Sequence, residues 1–178
     1  MADYNKQLAT GDWQNGLVNA VIDIPMGSTL KVEYDRERGL FVLDRVEPSI
    51  YPKPVNYGFI PGTLDEDNDE LDILVYCREP IQTGIYLQAK VIGVFNFEDD
   101  GEMDYKIVAV VADDRDSGDS INSLDDLGKR WMEKIEQHFA HYKDLKKPGS
   151  TKVLGWGGID EAKKVIKESI DRYNNTSK

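Results

Sequence analysis

The spacing of apolar positions changes along this chain. Leu30-Lys31-Val32-Glu33-Tyr34 alternates, which puts Leu30, Val32 and Tyr34 on one face of a strand and Lys31 and Glu33 on the other. Leu40-Phe41-Val42-Leu43-Asp44-Arg45 predicts a second strand, with Arg38-Gly39 closing the turn before it. Residues 17–24, 71–76, 86–97 and 104–111 read as further strands, from their β-branched density and the Gly and Pro between them. Short strands at this spacing point to a closed barrel of the small Greek-key kind. The period then lengthens. Ser123 is an expected N-cap, with Asp126 three places on in the manner of a capping box. Leu124, Leu127, Trp131, Ile135, Phe139 and Tyr142 form one apolar stripe, predicting a helix to about residue 145. A second helix is predicted over 160–173, with Pro148-Gly149 and Gly155-Trp156-Gly157-Gly158 marking the connection. Both helices are expected to pack on the barrel. The fold class is α+β, mainly β, with residues 1–178 in a single domain.

Composition narrows the function classes. At 178 residues and 40% hydrophobic, the chain can bury a core without disulfides. No apolar run approaches the roughly 20 residues that a transmembrane helix needs, so no membrane span is expected. The polar N-terminal stretch lacks a signal-peptide core, and Cys77 is alone, which together imply a reducing, cytoplasmic setting. A net charge of −11 argues against nucleic acid or an anionic membrane as partner. The acids gather at residues 65–72, 98–104 and 113–126, and a global solubility requirement does not explain such clusters.

Asp65-Glu66-Asp67-Asn68-Asp69-Glu70-Leu71-Asp72 holds six carboxylates in eight residues, each disfavouring ionisation of its neighbours. A plain surface loop is one explanation. A helix-loop-helix calcium loop is excluded, because its sixth and twelfth positions hold Glu70 and Tyr76 rather than Gly and Glu. A magnesium site is the third. In an extended chain Asp67 and Asp69 point the same way, and Asp72 opens the apolar run Ile73-Leu74-Val75, so a strand would hold it rigidly. In the second cluster Asp104 and Lys106 lie two apart, on one face of a predicted strand. Two acid-rich strand ends with cations on neighbouring strands suit a polyanion held by metals and cations together. Phosphoryl transfer asks a protein for that positioning and charge neutralisation. His138 and His141 share a helix face; with no HExxH and no cysteine partner they read as polar helix surface rather than a zinc pair.

Several segments resemble the soluble family I inorganic pyrophosphatases. Asp67-Asn68-Asp69-Glu70-Leu71-Asp72 fits that family's acidic signature, and Asn56-Tyr57-Gly58-Phe59-Ile60 precedes it at the family's spacing. Lys31-Val32-Glu33, Asp44-Arg45, Asp99, Asp104, Lys106, His141-Tyr142-Lys143-Asp144-Leu145 and Lys152-Val153-Leu154-Gly155-Trp156 complete an ordered series over roughly residues 14–160. The resemblance implies a five-stranded OB-like closed barrel with flanking C-terminal helices. It implies hydrolysis of pyrophosphate, arriving as its magnesium complex, with several Mg2+ ions per active site. Asp67, Asp72 and Asp104 would ligate a metal pair, and Asp69 would be the general base. Asp99, with Asp104, and Glu33 would serve further ions. Lys31, Arg45, Tyr57, Lys106, Tyr142 and Lys143 would bind phosphate oxygens. A homo-oligomer, a hexamer in bacterial members, is also implied, with the long helix at a subunit contact.

Three positions depart from the family pattern. Asp23 and Asp100 stand where glutamates are usual, and the resemblance implies an outer-sphere role for both, each one methylene short. Lys53 takes the place of a tyrosine in Tyr51-Pro52-Lys53-Pro54-Val55-Asn56-Tyr57, so either Tyr51 swings in or a charge replaces a hydroxyl. The alternative function is a non-catalytic OB-like binding module with a structural divalent ion. Barrels of that kind often bind single-stranded nucleic acid, but no basic groove is evident here.

Overall fold

Nine strands and four α-helices make up the computed structural model, which describes residues 3–66 and 68–176. The strands are β1 (Leu17–Ile24), β2 (Leu30–Asp35), β3 (Leu40–Val46), β4 (Asn56–Phe59), β5 (Asp72–Tyr76), β6 (Tyr86–Asp99), β7 (Glu102–Met103), β8 (Lys106–Val111) and β9 (Thr151–Gly157). The helices are α1 (Tyr4–Gln7), α2 (Leu124–Leu127), α3 (Lys129–His141) and α4 (Ile159–Thr176). Strands β1, β4, β5, β8 and β6 hydrogen-bond in that order, and β6 returns to β1, which closes a five-stranded OB-like ring. Closure leaves no edge within the ring. The fourteen-residue β6 makes it possible: register shifts at Val91/Gly93 and Asn96/Phe97 bend it, so it serves β1, β8 and β9 in turn.

Side chains alternate across the wall. Ile73 and Val75, Ile107 and Ala109 join one apolar cluster, which α4 completes with Ala162, Val165 and Ile166. Leu74, Val108 and Val110 point the other way, into a cluster completed by Ile135 and Phe139 of α3. Strands covered on both faces read as continuous apolar runs, which is why Ile73-Leu74-Val75 shows no alternation. The exposed hairpin β2–β3 forms its own sheet, pinned to β4 by Tyr34, which stacks on Phe59 at 5.2 Å between ring centroids.

The structure corrects the predicted elements in three places. The long helix breaks at Gly128, whose φ of 79° no helical residue adopts, and α3 stops at His141 rather than near 145. The capping box does form, Asp126 Oδ2 accepting from Ser123 N at 2.9 Å. The Gly155–Gly158 stretch is largely strand, not connection: β9 pairs with β6, and Gly155 sits opposite Asn96 beside the shift in register. Asn56–Phe59 is likewise a strand, made tight by Gly58. A Cβ there would lie 2.0 Å from the Val21 carbonyl oxygen. Gly58→Ala is therefore expected to cost about 3 kcal/mol by overpacking, seen as a lower urea midpoint at unchanged slope. An unshifted midpoint would mean that β1 and β4 can separate freely.

Candidate active site

Strand ends and the turns beside them converge on one cleft of about 260 Å³. β1 contributes Asp23; β2, Lys31 and Glu33; β3, Arg45; β4, Tyr57; the start of β5, Asp72. The end of β6 contributes Asp99, and the entry to β8 contributes Asp104 and Lys106. Tyr142 and Lys143 follow the last turn of α3. Asp69 lies on the rim, its side chain 80% exposed. Asp67 lies outside the described residues.

The centre of the cleft follows from sheet register. β5 and β8 run parallel with Asp72 opposite Lys106, so both strands start at the cleft. The Lys106 ammonium, 2% exposed, donates to Asp72 Oδ2 at 2.8 Å, Asp104 Oδ1 at 2.7 Å and the Tyr57 hydroxyl at 3.2 Å. Tyr57 in turn donates to Asp72. Burial disfavours the Lys106 charge, but Asp104 and Asp72 outweigh it and hold this ammonium well above the usual lysine range. Burial, reinforced by Asp72, raises the Tyr57 phenol, so it stays a proton donor.

The remaining groups pair in the same manner. Lys143 bonds Asp99, which also accepts from the Tyr142 hydroxyl at 3.4 Å. Lys31 bonds Glu33 and lies 3.4 Å from Asp44, while Arg45 spans Asp44 at 2.6 Å and Glu47 at 2.7 Å. Burial, then the charge of Asp72, pushes Asp23 well above the usual carboxylate range. Its Oδ1 is buried without a hydrogen-bond partner.

One positioning residue was not anticipated from the sequence. Arg36, in the β2–β3 turn, donates to the Asn68 carbonyl at 2.6 Å and to Asp69 Oδ1 at 3.3 Å, and lies 3.6 Å from Glu70. It clips the hairpin carrying Lys31, Glu33 and Arg45 to the acid loop. Backbone bonds from Asp65 N to Asp69 O and from Asn68 N to Asp65 O shape that loop, with Asn68 left-handed at φ 69°.

A family model described as inorganic pyrophosphatase matches residues 20–174. The inorganic pyrophosphatase of Haemophilus influenzae is 59% identical over 174 residues, covering 98% of this chain and 99% of that relative. That of Neisseria meningitidis serogroup A is 58% identical, covering 98% of each. The chain belongs to the inorganic pyrophosphatase family. A crystal structure of the Neisseria gonorrhoeae inorganic pyrophosphatase, 56% identical, matches 97% of this chain and 99% of its own with a TM-score of 0.95. One from Thermus thermophilus, 36% identical and covering 94% and 97%, gives 0.85.

Within this family frame, the departures divide. Lys53 lines the cleft and Tyr51 does not; Tyr51 lies edge-on to His138, 6.4 Å away. Asp100 is outside the cleft. Asp100 and Gly101 take φ of 54° and 89° and form the two-residue turn between β6 and β7, and the Asp100 carboxylate pairs with Lys147 at 2.5 Å. His138 is not helix surface as expected: it is 9% exposed, stacked on Tyr142, and burial and the Lys53 charge push its imidazole down to about 3. His141 is exposed and meets Asp144 at 2.8 Å.

The donor set can be tested against magnesium. Among the described residues, eight carboxylates and five cations line the cleft, with no His or Cys, so anionic oxygen is in excess. Asp99 Oδ1 is buried without a hydrogen-bond partner. Oxygen-only donors with unspent lone pairs fit a hard divalent ion. Among the described residues no three carboxylates form a ready ligand cage, and Asp67 is not one of those residues.

Proposed function

We propose that this chain hydrolyses inorganic pyrophosphate to two orthophosphates, with several magnesium ions bound in the cleft. The observation that carries this reading is the convergence of Asp72, Asp104 and Lys106 at the mouths of two parallel strands, in a chain of this family. A water oxygen attacks one phosphorus in line with the bridging oxygen. The bridging P–O bond breaks, its electron pair leaves with the second phosphate, and the proton of the attacking water passes to Asp69. Lys31, Arg45, Tyr57, Lys106, Tyr142 and Lys143 hold the phosphate oxygens. Asp67, Asp72 and Asp104 would hold one pair of ions; Asp99 with Asp104, and Glu33, would hold those that accompany substrate. Bound magnesium supplies the positive charge that offsets the excess carboxylates and acidifies the attacking water.

Asp69 suits the base role because a carboxylate on the rim meets water readily, and Arg36 limits where it can point. With a net charge of −11 the protein repels free pyrophosphate, so substrate enters as its magnesium complex. We also propose a cytoplasmic homo-oligomer, a hexamer by resemblance, which sedimentation at several concentrations would read. No helix of the described residues is long and apolar enough to cross a membrane.

Phosphate release from pyrophosphate, followed with magnesium and after chelation, tests the activity. Turnover that collapses on chelation and returns with magnesium is expected. A magnesium-loaded protein that releases no phosphate above the spontaneous rate would remove the reading.

A further inference from the structure

Among the described residues, four of the five cations lining the cleft already have a carboxylate within 4 Å: Lys31, Arg45, Lys106 and Lys143. Lys53 has none. Its ammonium is held instead by three ring faces, 4.3 Å from the centroid of Tyr57, 5.3 Å from Phe139 and 5.5 Å from Tyr142. Such rings attract a cation through their quadrupole and leave its net charge unspent. The backbone is anchored on both sides, Lys53 N donating to Ser28 O and Gly27 N donating to Lys53 O, each at 2.8 Å. The side chain is therefore placed at the cleft by a fixed strut rather than a loose loop.

An ammonium that is half-buried and unpaired is costly to hold. A protein that needed only packing here would gain by a neutral residue, and the family pattern has one, tyrosine. The charge has a use once an oxyanion arrives, because a charge-assisted hydrogen bond then satisfies both partners. We propose that Lys53 is a substrate-binding residue, giving a phosphoryl oxygen of pyrophosphate the one cleft ammonium that has no carboxylate partner among the described residues, in place of a tyrosine hydroxyl. This rests on the pyrophosphatase reading and adds a contact to it. Burial, then the nearby Lys106 charge, presses the Lys53 ammonium down to about 7, the direction expected of a cation still lacking its anion.

The test uses the intact protein in saturating magnesium, with pyrophosphate as substrate and methylenediphosphonate as a non-hydrolysable competitor. Lys53→Met keeps the stem in the aromatic box and removes only the charge. It is expected to raise KM and the competitor's Ki together by about tenfold to a hundredfold, with kcat within about threefold and a melting temperature equal to or above the parent's. Lys53→Arg, which restores a cation, is expected to recover most of both constants. The proposal is overturned if Lys53→Met keeps KM and Ki within twofold of the parent. It is also overturned if Lys53→Arg binds as weakly as Lys53→Met, since packing and not charge would then matter. An unsubstituted protein that releases no phosphate would instead remove the proposed function itself.

Discussion

Asp69→Asn is expected to lower kcat for pyrophosphate hydrolysis by about two to four orders of magnitude while the protein folds normally. The amide keeps the shape of the carboxylate and can still accept a hydrogen bond, but it cannot take a proton at neutral pH. Folding should be indifferent, because the side chain is 80% exposed and its ion pair with Arg36 is of the exposed kind that contributes little. KM should change far less than kcat, since the proton moves only in the transition state. Magnesium binding, followed by calorimetry, should be close to the parent's. A variant with kcat within about fivefold of the parent would take the base role away from Asp69 and leave the remainder of the cleft in place.

Much of the barrel could be read from the chain, for a definable reason. The strands predicted at 30–34 and 40–45, with their turn at Arg38-Gly39, form as β2 and β3, but burial does not alternate along β2, because a shift in register falls at Lys31/Val32 and the hairpin stands outside the barrel with Leu30 in solvent. The runs behind β5 and β8 were readable as strands by β-branching rather than alternation, since both of their faces are covered. What failed was local signal overridden by partners. Gly155 and Gly157 look like turn residues until β6 is there to pair with them, and the Leu124–Tyr142 stripe runs through Gly128 without recording the break.

The cleft divides likewise. Most of its acidic and cationic members lie at strand ends or in the turns beside them, and residue type and spacing singled out side chains that the fold gathers in one cleft. Their pairings were not legible, because they join residues far apart in sequence: Tyr57 with Asp72 and Lys106, Lys143 with Asp99, Arg36 with the acid loop. Arg36 has no local signature at all; it is one arginine in a polar turn. His138 misled for the opposite reason. Helical spacing placed it beside exposed His141, yet at i+4 from it Tyr142 turns inward and covers it. Asp100-Gly101 carried its own answer, since that dipeptide is a hairpin-turn signal irrespective of any catalytic role.

Lys106→Met should produce a stability defect whose size depends on the divalent ion. In the metal-free protein the ammonium is the shared counter-charge of Asp72 and Asp104, at 2.8 and 2.7 Å, and is nearly sealed from water at 2% exposure. Methionine fills similar volume but leaves two partly buried carboxylates, 24% and 22% exposed, facing each other without that cation. Breaking a buried pair in this way costs about 3–5 kcal/mol. Water reaching the two acids argues for the lower end, so about 3 kcal/mol, or a melting temperature lower by about 6–12 °C for a chain of this size. Magnesium should shrink that gap, because a dication among the same oxygens replaces the lost charge and binds only the folded state. The parent has less to gain, since its carboxylates are already partly neutralised. Activity should fall by about a hundredfold or more even when magnesium restores the fold, because a fixed cation no longer faces the charge that develops on the phosphoryl oxygens. Differential scanning calorimetry of both proteins in chelator and in magnesium reads the first effect, and phosphate release the second. Equal melting temperatures in chelator would show that water, not Lys106, balances the two acids, and the cleft would then owe its shape to the strands alone.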